Sequence, residues 1–97
     1  MLTGKQRAYL RSLANPAETI LIVGKGGVAA DTVRQADDAL TARELLKGRA
    51  LETAPLSPRE AAERIARQTS SEVVQVIGSR FVLYRKNPKQ PKINLPK

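Results

Sequence analysis

The stretch Ile20-Leu21-Ile22-Val23-Gly24-Lys25-Gly26-Gly27-Val28 decides how the rest of the chain reads. An apolar, largely β-branched run stops at a glycine-rich loop carrying one lysine, and a helical pattern follows. Strand, loop and helix in that order open a βαβ unit, so the chain is α/β. Glycine has no Cβ and lets another group come close to the backbone. The helix start behind the loop offers unpaired N–H groups and the positive end of a dipole. With the charge of Lys25 at its tip, the loop suits a phosphate.

Working outward, Thr3-Gly4-Lys5-Gln6 fits a capping box and predicts a first helix over about 4–14. Leu10, Leu13 and Ala14 form its inward stripe, Arg7 and Arg11 share another face, and Asn15-Pro16 ends it. The first strand, 19–23, reads as one covered on both faces. A second helix starts near 29–31 and runs to about 42, followed by a strand over 45–51 that Gly48 weakens. Ser57-Pro58-Arg59-Glu60 is a strong helix start, and the third helix extends to about residue 68, burying Ala61, Ala62, Ile65 and Ala66. Strands over 72–77 and 80–85 are joined by Gly78-Ser79, with glycine first as a type II′ turn requires.

The order αβαβαββ predicts a single compact α/β domain, a four-stranded mixed sheet packed with helices, over 1–86. A Lys/Pro-rich tail follows over 87–97. Right-handed crossovers should make consecutive strands parallel, with the fourth antiparallel. The glycine loop and the hairpin tip with Arg80 then share one edge of the sheet. If the first helix runs antiparallel to the first strand, Lys5 and Arg7 return to that edge too.

Composition narrows the chemistry. The 97 residues contain no cysteine and no histidine, which removes disulfides, thiol catalysis, Cys-based zinc sites and the usual general base. No cofactor is expected. The polar start Met1-Leu2-Thr3-Gly4-Lys5 does not read as a signal peptide, and the apolar run 20–23 is far too short to span a bilayer. The expectation is a cytoplasmic monomer. The net charge of +8 is segregated: +3 over residues 1–30, zero over 31–69 and +5 over 70–97. Such segregation suggests a basic patch for nucleic acid. A membrane-surface role would need an amphipathic helix with large exposed apolar residues, which is not seen.

The loop itself supports more than one reading. Gly24, Gly26 and Ala29 fit a dinucleotide fingerprint, with Glu44 as the later acid. That leaves a small nucleotide-binding protein or enzyme as the alternative function. A P-loop fails for want of a following Gly-Lys-Ser/Thr. Gly24 to Gly27 also form a G-x-x-G clamp of the kind that grips an RNA backbone. In its blandest reading the loop is only a tight turn. The acids Glu60, Glu63 and Asp38 sit four residues from Arg64, Arg67 and Arg34 and read as helix-surface pairs. Asp37, Asp38 and Glu44 are weak metal candidates. Tyr84 reads as core rather than as a base-stacking group.

Several blocks resemble a known family: Leu2 to Arg11, Val23-Gly24-Lys25-Gly26-Gly27-Val28, Glu44-Leu45-Leu46-Lys47, Val74-Gln75-Val76-Ile77-Gly78 and Val82-Leu83-Tyr84-Arg85. In this order and spacing they look like the CRM domain (chloroplast RNA splicing and ribosome maturation). The likeness is nearest to its stand-alone bacterial form, the YhbY-like RNA-binding proteins. The ending Lys92-Ile93-Asn94-Leu95-Pro96 looks similar as well. The resemblance implies a fold like the C-terminal domain of translation initiation factor three. It implies no enzymatic activity, and RNA binding through the loop Gly24, Lys25, Gly26 and Gly27 with neighbouring basic residues. For the stand-alone form it implies association with ribosomal RNA in large-subunit precursors. On this chain the basic residues would be Lys5, Arg7, Arg11, Arg34 and Arg80. Gly48-Arg49-Ala50 departs from the bulkier residues the family tends to have there.

Overall fold

The computed structural model describes residues 2–97. Its elements are α1 (Gly4–Ala14), β1 (Leu21–Val23), α2 (Ala30–Arg43), β2 (Leu45–Ala50), α3 (Pro58–Thr69), β3 (Glu72–Ile77) and β4 (Arg80–Tyr84). Both capping boxes form. The Thr3 hydroxyl accepts from the Gln6 N–H while the Gln6 side-chain Oε1 accepts from the Thr3 N–H, and the Ser57 hydroxyl and Glu60 carboxylate do the same for α3. A cap of this kind contributes about 1 kcal/mol. Gly78 has φ +57, the positive φ that the first position of the hairpin turn needs.

The sheet order is β1-β2-β4-β3. β1 and β2 are parallel, and β4 is antiparallel to both of its neighbours, β2 and β3. β3 therefore runs in the direction of β1 and β2, as expected, but it is not β2's neighbour: β4 lies between them. One edge of the sheet thus collects the ends of β1, β2 and β3, the glycine loop and the hairpin tip. The Ala50 N–H donates to the Ser79 carbonyl at 2.8 Å, tying that tip to the end of β2.

Two cores flank the sheet. α2 and α3 cover one face through Leu21, Val23, Ala36, Leu40, Leu46, Ile65, Phe81 and Leu83. α1 and the tail cover the other through Leu10, Ala14, Val74, Val82 and Tyr84, joined by Leu45, Ile93 and Leu95. Burial, with Glu44 and Glu72 nearby, pushes the Tyr84 hydroxyl pKa up. With few aromatics, the larger core closes around one phenylalanine. The ring of Phe81 lies on Gly48, its cross-strand partner, where a Cβ would overlap the ring. Gly48 is therefore the seat of the ring and not a weak point of β2.

Two expectations about placement fail. β1 is a three-residue edge strand, and Ile22 is 51% exposed, so the strand is covered on one face only. α1 also points the other way. At its start, Gln6 donates to the Pro96 carbonyl at 3.0 Å and Arg7 to the Val73 carbonyl at 2.6 Å, both remote from the glycine loop. Its C-terminal end heads toward the loop edge, where Lys47 Nζ holds the carbonyls of Ala14, Asn15 and Ala17 at 3.2–3.4 Å. The segment 15–20 then doubles back to begin β1.

Candidate nucleic-acid interface

The glycine loop is a hydrogen-bonded turn. The Gly27 N–H donates to the Gly24 carbonyl at 2.9 Å, and Gly27 takes φ +69. Gly27 is buried, and a Cβ there would lie 3.1 Å from Pro55 Cγ. Its amide is thus engaged within the turn rather than offered to a ligand. Lys25 and Gly26 are different: both are exposed, and a Cβ on Gly26 would meet nothing within 4 Å. The approachable part of the G-x-x-G sequence is its middle.

α2 begins just behind the loop with Ala29 as N-cap, a residue with no side-chain acceptor. The Thr32 hydroxyl reaches back to the Ala29 N–H at a long 3.4 Å. The first-turn amides consequently lack the cap that α1 and α3 possess, which favours an anion there. Asp31 lies in that turn. It is turned sideways, held by Arg34 Nη2 at 2.6 Å and by Gln35 Nε2 at 2.8 Å. Arg34 therefore pairs with Asp31 and not with Asp38. On α3, Arg59 lies 3.7 Å from Glu63, while the Glu60 carboxylate accepts from the Ser57 N–H.

The loop edge gathers Lys25, Gly26, Arg34 and Arg80. Arg11 is half-buried in the last turn of α1. Lys5 and Arg7 are at the opposite pole. Arg7 fills the carbonyls of Val73 and Val74, where a bulge interrupts the β3–β4 ladder. The pairing adds a residue that sequence reasoning missed. Arg49 of β2 stands directly across from Arg80, and both are exposed. Only the antiparallel β2–β4 register reveals this, and a reading of consecutive strands as neighbours hides it.

The acids are committed elsewhere. Arg85 Nη1 reaches Asp37 Oδ1 at 2.5 Å and the Thr69 carbonyl at 2.9 Å, and its Nη2 reaches Thr41 Oγ1 at 2.7 Å. The buried Glu44 carboxylate accepts the N–H groups of Asn87, Lys92 and Ile93 at 2.5, 2.5 and 2.7 Å. Glu44 caps the far end of α2, about 21 Å from the glycine loop at 1.5 Å per residue. It cannot serve as the ribose-binding acid of a dinucleotide site. No group of three potential metal ligands occurs among the described residues, and no described helix is long and apolar enough to cross a membrane.

A small mixed sheet between two helical layers, with a lysine-tipped glycine loop and arginines at one edge, defines a class of α/β module fitted to a polyanion. The chain belongs to the CRS1/YhbY (CRM) domain family, whose model matches residues 2–85. It is 41% identical over 96 residues to Probable RNA-binding protein YqeI of Bacillus subtilis, covering 99% of this chain and 100% of that protein. An RNA-binding protein of Haemophilus influenzae is 29% identical over 96 residues, covering 99% and 96%. The solution structure of the Staphylococcus aureus protein SAV1595 superposes with a TM-score of 0.82 at 46% identity, covering 99% of this chain and all of that one.

Proposed function

We propose that this protein is a non-enzymatic RNA-binding module, acting in the cytoplasm on ribosomal RNA of large-subunit precursors during ribosome assembly. The observation that carries the reading is the loop edge itself. Lys25 and Gly26 stand exposed in front of a helix start without a side-chain cap, with Arg34 in the early part of that helix and Arg80 at the hairpin tip of the same sheet edge. Backbone amides of the first turn of α2 receive a phosphate, and Lys25 closes on it. The names of the relatives support RNA as the ligand, and the resemblance to the stand-alone CRM form supports the ribosomal target. Among the described residues β1 and β2 are the only parallel neighbours, and Glu44 is occupied, so the nucleotide-enzyme alternative lacks the second half of its site.

Two measurements test this. Crosslinking in cells followed by sequencing of the bound RNA should recover large-subunit ribosomal RNA. Titration of a structured RNA against salt should give a steep decline of log K with log salt, about −0.7 to −0.9 per phosphate neutralised and so roughly −3 for four contacts. A flat salt response, or tighter binding of mononucleotide than of RNA, defeats the reading.

A further inference from the structure

Cross-strand partners point to the same face of a sheet. Ile22 pairs with Arg49, Arg49 with Arg80, and Arg80 with Ile77, so these four residues form one row across the whole sheet. All four are exposed, Ile22 at 51% and Ile77 at 65%. The row lies on the face that α1 covers, but α1 stops short of it. Its C-terminal end is anchored on Lys47, in the next row inward. Between the helix end and the row is a cavity of about 80 Å³ lined by Ala14, Asn15, Lys47, Gln75, Ile77 and Arg80.

The row has no rationale in the free protein. Two arginines directly opposite on neighbouring strands repel each other. Neither finds a carboxylate among the described residues. The isoleucines flanking them leave apolar surface in water. A ligand carrying an anion beside an apolar plate resolves both mismatches. Guanidinium forks grip phosphate oxygens in bidentate fashion. The side-chain amides of Asn15 and Gln75 can pair with the edge of a base. Unstacked bases are what RNA-binding proteins read, since the edges of a paired A-form helix are poorly accessible. The row is continuous with the glycine loop, because Ile22 lies only two residues before Gly24.

We propose that the row Ile22–Arg49–Arg80–Ile77 is a second RNA subsite, in which Arg49 and Arg80 clamp one phosphate and Ile77 with the adjoining groove takes one unpaired base. The subsite rests on the RNA-binding reading above, and the experiment separates the two. Fluorescence anisotropy compares an RNA hairpin carrying one bulged adenosine with the same hairpin fully paired. The wild-type protein should prefer the bulged form. Ile77→Ser should abolish that preference, a loss of about five- to tenfold on the bulged RNA alone, because it removes the apolar plate and leaves the charge unchanged. Ile77→Thr, which keeps a β-former at the position, should reduce it partway and serves if the serine variant melts early.

Arg49→Ala should weaken both RNAs and shrink the salt slope by about one phosphate. Arg49→Lys should keep the slope but not the affinity. Lys25→Ala should weaken both hairpins equally. If Lys25→Ala acts while the row variants leave both affinities unchanged, the subsite is overturned and RNA binding stands. If the row variants abolish binding of a poly-aspartate peptide but not of RNA, the surface takes a protein partner and the proposal fails. If no variant alters RNA binding, the subsite and the loop-edge site both fail, and RNA is held elsewhere on the molecule.

Discussion

At the scale of single residues, the two inner glycines of the loop play opposite parts. Gly26 is exposed with open space where a Cβ would stand, whereas Gly27 takes φ +69 against Pro55. Gly27 sets the turn; Gly26 leaves the backbone approachable. Gly27→Val should therefore destabilise the fold by about 1–3 kcal/mol, the cost of forcing a β-branched residue to positive φ. Gly26→Val should melt like the wild type yet bind RNA about tenfold more weakly, a loss of about 1.4 kcal/mol. Lys25→Ala removes only a charge, so its effect should fade at high salt while that of Gly26→Val persists. Circular dichroism melts and RNA titrations at two salt concentrations check all three. Unchanged RNA affinity in Gly26→Val would reduce the loop to a connection. The sequence shows four residues of a G-x-x-G pattern but not this division of labour, because φ and the position of Pro55 are set by tertiary contact. Gly48 teaches the same lesson. Read alone it is a poor strand residue; opposite Phe81 it is the one residue that leaves room for the ring.

At the scale of elements, what is encoded locally was legible and what depends on docking was not. Caps and breakers act within four residues, so Thr3–Gln6, Asn15-Pro16 and Ser57–Glu60 delimit α1 and the start of α3 almost to the residue. The insertion of β4 between β2 and β3 and the direction of α1 depend on contacts between distant segments. The reversed α1 carries Arg7 away from the loop edge and into the bulge of β3. Its guanidinium donates to the two carbonyls at the bulge, so Arg7→Ala should cost about 1–3 kcal/mol in stability. Its RNA affinity, measured below the melting transition, should change less than that of Arg80→Ala. A comparison of charge reversals makes the geometric point more sharply. Arg80→Glu faces Arg49 across the strands and gains a partner there, so the fold should survive. Its RNA affinity should nevertheless fall further than that of Arg64→Glu, a reversal on exposed α3. Equal losses would mean that net charge alone governs binding and that the loop edge has no special standing.

At the scale of the whole molecule, the segregated charge of the sequence becomes two poles at opposite ends of the strands, not one patch. The loop edge carries Lys25, Arg34, Arg49 and Arg80. The opposite end carries Lys5 and the exposed Lys86, Lys89 and Lys92 of the tail. The composition of 86–97 reads as an extended tail partly laid on the surface, and what lays it there is the Glu44 carboxylate on its backbone and the packing of Ile93 and Leu95 on the α1-side core. Nothing local to Glu44 announces this, since its three donors lie more than forty residues away. The arrangement makes tail docking sensitive to acid. Burial alone would raise the Glu44 pKa. The N–H groups of Asn87, Lys92 and Ile93, with the charge of Lys86, outweigh burial and hold it below the ordinary carboxylate value of 4.5. A carboxyl group whose pKa is lowered by folding contributes its full stability above its unfolded pKa and loses it as pH falls through the folded one. Docking should therefore be constant at neutral pH and weaken only below about pH 4.5. The Lys92 and Ile93 amides should report this as a loss of hydrogen-exchange protection and a shift in their NMR resonances. Glu44→Gln is the control. A side-chain amide offers one acceptor oxygen where the carboxylate offers two, and it sets an NH2 group against backbone donors. The variant should lose about 1–3 kcal/mol at pH 7 and show a flatter acid limb than the wild type. If Glu44→Gln keeps the wild-type protection at pH 7 and the wild-type acid profile, the apolar contacts of Ile93 and Leu95 hold the tail by themselves.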